Sequence, residues 1–344
     1  MYFLRASPCF SSRILEDYDT ELRLSLEGLL NTRLSATGWV QASLTVRYGG
    51  LGVRAAGDLA LPAFLSSEKA TIDLVRELLP AGYSAVQSQH FTTAADLWKE
   101  TAGLTDLPLS STQAAWDEPL IRVRFRGLLE STTAEVDRAR LLAVSAENAS
   151  HWLIAIPIPS LGLKLDSNQL RVSIGLRLGS PLCHPHTCKC GTRVESSGVH
   201  GLSCKKSAGR FSRHGQVNDL IKRSLSTAQV PTLLEPNGVS RDDGKRPDGI
   251  SLFSWKRGRL LCWDFTCSDT LAPSHLGTSS REAGKVAENA ENVKMTKYSC
   301  LSHEYEVTPI CVETLGPWGP SGHDFVQVHK ISREGGPPRW AAFT

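Results

Sequence analysis

Residues 183–204 read CHPHTCKCGTRVESSGVHGLSC, which places four cysteines and three histidines within 22 positions. Packing alone does not account for such a cluster. Cys188, Cys190, His200 and Cys204 form the best four-ligand set, and three thiolates with one imidazole suit tetrahedral zinc. The single residue between Cys188 and Cys190 is shorter than the usual spacing of a structural site, so Cys183, His184 and His186 stand as substitutes for one of the first two ligands. The alternative is a loop of free thiols. A catalytic zinc fits less well, because no nearby His-Glu pair supplies a general base. Further on, Arg246-Pro247-Asp248-Gly249 is followed by Asp264-Phe265-Thr266. Two carboxylates that leave water positions open are the usual way to hold Mg²⁺ or Mn²⁺ for phosphodiester chemistry. Glu235 is a candidate third ligand. Lys294 and Lys297, three apart on one helical face, are candidates to orient the attacking water or to stabilise charge on the phosphate. A pair of Asp on neighbouring strands is also an ordinary structural feature.

These residues must be carried by elements that the pattern predicts. The segment 180–206 has little apolar surface, so a bound metal would supply the folding energy it lacks. Val217, Leu220, Ile221 and Leu225 recur at helical spacing, and His214 and Asn218 lie four apart beside Arg213 on the same helix. Short strand-like runs follow at 231–235, 249–255 and 259–267, then a helix over 281–303 and a strand over 305–314. In the run LLCWDFTC, Leu261, Trp263 and Phe265 face one way, while Cys262, Asp264 and Thr266 face the other. An aspartate inside so apolar a strand costs several kcal/mol unless it meets a cation or hydrogen-bond donors. If the second and third strands form a hairpin, Asp248 and Asp264 converge.

The first half reads as helices joined by short loops. Ile72, Val75, Leu78 and Leu79 mark a helix that Pro80 stops. Thr132 and Glu135 have the spacing of a capping box. Tyr48-Gly49-Gly50-Leu51-Gly52 lacks the ending of a P-loop and the spacing of a dinucleotide fingerprint, so it is expected to be a turn. Residues 1–16 are basic, bear serines and hold few acids; they are set apart as a leader, a composition shared by transit peptides and by a start within a longer frame.

The 344 residues carry a net charge of +3, but the charge is uneven. Residues 1–180 hold 17 Lys/Arg against 19 Asp/Glu, and residues 181–344 hold 21 against 16. Over 189–223 the balance is 8 against 2, as expected of a segment that meets phosphates. Lys205, Lys206, Arg210, Arg213, His214, Asn218 and Arg246 are the candidate nucleic-acid contacts. The longest charge-free apolar stretch is 16 residues, between Glu147 and Lys164, too short and too polar to span a bilayer as a helix. Nine cysteines, an odd number, argue against a secreted disulfide scaffold.

The order Cys-x-Cys, His-x3-Cys, Arg213-His214 with Asn218, Arg246-Pro247-Asp248, Asp264-x-Thr266 and Lys294-x-x-Lys297-Tyr298 resembles the C-terminal end of non-LTR retrotransposon polyproteins. Those proteins carry a zinc knuckle followed by a restriction-like endonuclease of the PD-(D/E)XK fold. The resemblance is specific over 170–316 and weaker over 20–170, which is similar to the linker after the polymerase thumb. It implies a mainly α N-terminal half (17–180), a zinc knuckle (181–208), an α/β restriction-endonuclease-like domain (209–316) and a tail (317–344). It further implies a Mg²⁺-dependent nick in target DNA, RNA as a further partner, and a nuclear location. Asp248 and Asp264 would be metal ligands, Lys294 or Lys297 the catalytic lysine, and Tyr298 an accessory residue.

The sequence departs from that pattern twice. Thr266 stands where the simple motif has its lysine, so activity would need a lysine from the helix. The aromatic-x-Asp-Asp turn of a polymerase is missing, since the sole Asp-Asp pair, Asp242-Asp243, follows Ser240-Arg241. The expectation is a fragment or truncated copy that does not copy RNA. The alternative is a catalytically inactive nucleic-acid-binding or interaction protein with the same fold.

Overall fold

A computed structural model describes residues 2–80, 88–207, 209–239 and 246–333, without the side chains of Arg210 and 328–333. Asp242 and Asp243 lie outside the described residues, as does the side chain of Arg210. The chain divides into two compact units. The first comprises 1–133 and 157–182, and the second 134–156 and 183–344. Residues 134–156 therefore belong with the second unit, although the sequence places them in the helical half.

The first unit is helical. It contains α1 (Tyr2–Ala6), α2 (Arg13–Leu30), α3 (Ala36–Ser43), α4 (Ala56–Leu78), α5 (Gln89–Ala102), α6 (Gln113–Ser131) and α9 (Ser167–Leu178). Trp98 and Trp116 are fully buried with Leu61, Phe64, Leu65 and Phe91. Their rings meet edge-on at 5.5 Å, and the Trp98 indole N–H donates to the Trp116 carbonyl at 2.8 Å, so the buried polar end is satisfied. Residues assigned to a leader form α1, whose Leu4 packs with Ala60 and Ala63 of α4. The Gly-rich loop is a turn. Buried Arg177 donates to the carbonyls of Gly50 and Val46, and a Cβ on Gly50 would lie 2.0 Å from the Leu44 carbonyl oxygen.

Two local expectations fail for identifiable reasons. Thr132 is not the N-cap of a capping box; its hydroxyl donates back to Leu128 at 2.8 Å and ends α6. A capping box is instead formed by Asp166 and Gln169 at the start of α9. The stripe on α4 is helical, but Val75 and Leu78 are exposed, because period reports a face and not what covers it.

The second unit contains α7 (Glu135–Val144), α8 (His151–Ile154), β1 (His186–Thr187), β2 (Arg193–Val194), α10 (His200–Ser203), α11 (Gly209–Thr227), β3 (Thr232–Leu234), β4 (Gly249–Lys256), β5 (Arg259–Ser268), α12 (Leu276–Ser279), α13 (Lys285–Lys297), β6 (Tyr305–Glu313) and α14 (Pro320–Arg333). The expected helix over 281–303 is thus shorter. Its sheet has the order β3-β4-β5-β6, with β5 and β6 parallel and the other pairs antiparallel. The alternation in β5 decides what each face meets. Leu261, Trp263 and Phe265 enter a core with Ile221 and Leu225 of α11, Ile310 of β6 and Phe325 of α14, while Asp264 on the opposite face meets α13 through Lys294. Two helix starts are held by buried carboxylates: Glu313 accepts from the Val286 N–H of α13, and Glu291 accepts from the Ser321 and Gly322 N–H groups of α14. The molecule is mainly α with a mixed four-stranded sheet, and among the described residues no helix is long and apolar enough to cross a membrane.

Candidate metal centres

The short β1–β2 hairpin and α10 bring Cys188, Cys190, His200 and Cys204 together, with one ligand atom from each within 4.8 Å of the others. Gly191 makes the hairpin turn possible at φ 91°, a conformation glycine adopts without strain. The sulfurs of Cys188 and Cys204 are 3.7 Å apart, and the Cys190 sulfur is 3.2 Å from His200 Nε2. Hydrogen bonds from Thr192 and neighbouring thiols hold the Cys190 thiol down to about 6, which favours the thiolate that binds metal. This Cys₃His set is able to hold a zinc ion. None of the three substitutes joins that group: the Cys183 thiol points at the Glu195 and Ser196 carbonyls, and His186 Nδ1 lies 2.9 Å from the His184 carbonyl.

The aspartates are positioned by strand register. Gly249 pairs with Trp263 and Ile250 with Cys262, so one step further sets Asp248 opposite Asp264. Asp248 N–H donates to the Trp263 carbonyl at 3.0 Å, and the Phe265 N–H donates to Asp248 Oδ2 at 2.7 Å. The Asp248 side chain thus takes a ladder bond that main chain would otherwise make. Gly249 allows this close approach, since a Cβ there would lie 2.0 Å from the Trp263 ring.

Each carboxylate has a basic partner from a different helix. Lys294 Nζ of α13 lies 2.9 Å from both Oδ1 and Oδ2 of Asp264. His214 Nε2 of α11 lies 3.2 Å from Asp248 Oδ2. Burial and then the Asp264 charge push the Asp248 carboxyl up, against the Phe265 N–H, His214 and Asn218, which pull it down. The neighbouring Cys262 thiol is driven to about 12 by burial and by both aspartates. Cys311 also reaches about 12, through burial and Glu291. Both thiols are poor nucleophiles.

The remaining candidates separate clearly. Lys294 reaches an aspartate, whereas Lys297 lies over the Tyr298 ring at 5.6 Å. Tyr298 is buried, and its hydroxyl donates to the Arg246 carbonyl at 3.3 Å, tying the end of α13 to the turn before Asp248. The Glu235 N–H donates to the Asp248 carbonyl at 2.8 Å, but its carboxylate is not brought to the pair. It is exposed at the end of β3 with φ 47°, and its carboxylate takes Arg246 Nη2 at 2.6 Å. The Cys₃His set is the one group of three or more such donors in mutual reach among the described residues. Of the basic residues, Lys205 is exposed, Lys206 donates to the Lys189 carbonyl, and the Arg213 charge offsets the burial of the Cys267 thiol. Sequence reasoning missed Trp263, whose indole N–H donates to Asn218 Oδ1 at 3.1 Å. Its position next to Asp264, on the face toward α11, is the signal that was available.

No protein-family model matches the chain, and a comparison with curated proteins also gives no match.

Proposed function

We propose that this chain is the endonuclease-bearing part of a non-LTR retrotransposon protein, with a zinc knuckle and a PD-(D/E)XK nuclease domain, acting on DNA in the nucleus. The observation that carries the reading is the register that sets Asp248 opposite Asp264, with the Lys294 ammonium against Asp264. The order α11-β3-β4-β5-α13-β6, with one parallel pair, supports it. The donors are two hard oxygen ligands, a set that suits Mg²⁺ when substrate phosphate and water complete the shell. Asp248 and Asp264 would hold Mg²⁺, which would supply Lewis-acid polarisation of the scissile phosphate. Lys294 would hold the attacking water or stabilise negative charge on phosphate. Arg213, Lys205 and Lys206 would bind the backbone through charge, with RNA as a further ligand of the same surface. Zinc at Cys188, Cys190, His200 and Cys204 would be structural.

A second reading, a nucleic-acid-binding protein without catalysis, is favoured by one feature. Lys294 takes both oxygens of Asp264, which neutralises that carboxylate without a metal. Nicking of supercoiled plasmid with Mg²⁺ or Mn²⁺, beside zinc analysis of the same preparation, decides between them. Asp264→Ala is expected to lower nicking by roughly 10³-fold, the several kcal/mol that metal polarisation supplies, and to leave DNA binding largely intact. Equal nicking by variant and parent ends the endonuclease reading. DNA binding by a parent that nicks no substrate establishes the second.

A further inference from the structure

A chain of hydrogen bonds runs from the buried Trp263 through a half-exposed His214 to Asp248. The Trp263 indole N–H lies 3.1 Å from Asn218 Oδ1, Asn218 Nδ2 lies 3.3 Å from His214 Nδ1, and His214 Nε2 lies 3.2 Å from Asp248 Oδ2. An indole N–H is a donor only. It therefore requires the oxygen of the Asn218 amide, which leaves the amide N–H₂ for His214. A donor facing Nδ1 makes Nδ1 an acceptor, so the ring proton sits on Nε2 and is given to Asp248. Reversing the amide would set two donors face to face at the indole, inside a core where Asn218 is only 6% exposed. His214 also rests against the Phe265 ring, with centroids 5.7 Å apart.

The geometry points to His214 as a positioning residue of the aspartate pair: Trp263 orients Asn218, Asn218 fixes the Nε2–H tautomer of His214, and His214 holds Asp248 Oδ2. The Phe265 N–H binds the same oxygen, and the Asn218 side chain also hydrogen-bonds Asp248, so Asn218 acts on this carboxylate directly as well as through His214. The purpose of the relay rests on the endonuclease reading. Its geometry does not. Groups that orient a metal ligand from outside typically change metal affinity or activity 10- to 100-fold when removed.

Two measurements on the zinc-loaded full chain test this. A long-range ¹H–¹⁵N spectrum of histidine-labelled protein is expected to show His214 as the Nε2–H tautomer, its signals identified by their loss in His214→Gln. A Nδ1–H ring, an imidazolium or an averaged pair of tautomers overturns the relay. Mn²⁺ titration followed by electron paramagnetic resonance reads the function. His214→Ala and Asn218→Leu are expected to weaken Mn²⁺ binding 10- to 100-fold. His214→Gln, whose Nε2–H can still donate, is expected to recover most of that loss. Parent-like affinity in His214→Ala, or no recovery in His214→Gln, overturns the proposal. If Asp264→Asn binds Mn²⁺ as the parent does, the endonuclease reading fails instead, and the tautomer still decides whether the relay exists.

Discussion

The Cys₃His set and the aspartate pair are built in opposite ways. The first draws four donors from 17 consecutive residues, 188–204, on a two-strand hairpin and one helical turn. The second joins two residues by strand register and surrounds them with side chains from α11 and α13. The sulfur cluster pairs its own members and takes further hydrogen bonds from Thr192 and the Lys206 main chain, in a segment with little apolar surface. The carboxylates already have donors: a backbone N–H and an imidazole for Asp248, and an ammonium for Asp264. The first site is therefore expected to need an ion to fold, whereas the second is satisfied by protein and would exchange one partner for an ion.

The largest expected effect breaks that comparison if it fails. Structural zinc in small knuckles is worth on the order of 10 kcal/mol of local folding free energy. Strong chelation, or the pair Cys188→Ser with Cys204→Ser, is expected to abolish stoichiometric zinc and to remove hydrogen-exchange protection at 186–204. Protection in β4, β5 and β6 is expected to persist, since their core holds none of the four ligands. Retained protection at 186–204 in the metal-free protein would show that the segment folds without an ion.

The aspartate pair answers differently to loss of its cation. Lys294→Met leaves the Asp264 side chain, 8% exposed, without its ammonium. An uncompensated buried charge costs about 3 kcal/mol or more, read as a lower urea midpoint. The sharper outcome is that millimolar Mg²⁺ stabilises Lys294→Met more than the parent and restores much of that loss, because the ion takes over the role of the lysine. A variant whose midpoint ignores Mg²⁺ would mean that the two carboxylates do not form a cation site.

The contrast also explains what was legible in the sequence. The sulfur set is local, so its spacing offers the four ligands that the structure gathers, although the short Cys188–Cys190 step leaves Cys183, His184 and His186 open as substitutes. The aspartates were legible because alternation in LLCWDFTC put Asp264 opposite an apolar face, and a hairpin then sets Asp248 beside it. Spacing does not separate Lys294 from Lys297, since both lie on one helical face and only packing against β5 selects Lys294. Nor does it show that Asn218 reaches across to Trp263, a contact between residues 45 positions apart. The helical half was read as helices, but the transfer of 134–156 to the second unit depends on long-range packing such as Arg138 donating to the Ser280 carbonyl. Local signals of that kind mislead at Thr132, where the hydroxyl serves the preceding helix instead of the next.

Glu235 tests the boundary of the aspartate pair. Its ion pair with Arg246 is solvent-exposed, with side chains 69% and 44% accessible, and such pairs contribute about 0–1 kcal/mol. Glu235→Gln is expected to leave Mg²⁺-dependent nicking within about threefold of the parent and stability within that range. Nicking that falls as far as in Asp264→Ala would make Glu235 a third ligand that swings in when substrate binds.

The smallest effect is expected at the edge of the sulfur cluster. Cys183 has the residue type of a ligand, yet its thiol lies 3.5 and 3.7 Å from the Glu195 and Ser196 carbonyls. Its backbone N–H donates to the Ser196 carbonyl at 3.1 Å. A serine hydroxyl can serve the same carbonyls, so Cys183→Ser is expected to change stability by no more than about 0.5 kcal/mol, as at an ordinary surface position. It is also expected to keep one zinc with the affinity of the parent, measured by competition with a chromophoric chelator. A tenfold loss of zinc affinity would mean that Cys183 replaces Cys188 or Cys190 when the ion binds. The irregular Cys-x-Cys spacing would then be the mark of a cluster that rearranges around its metal, and the difference from the aspartate pair would narrow.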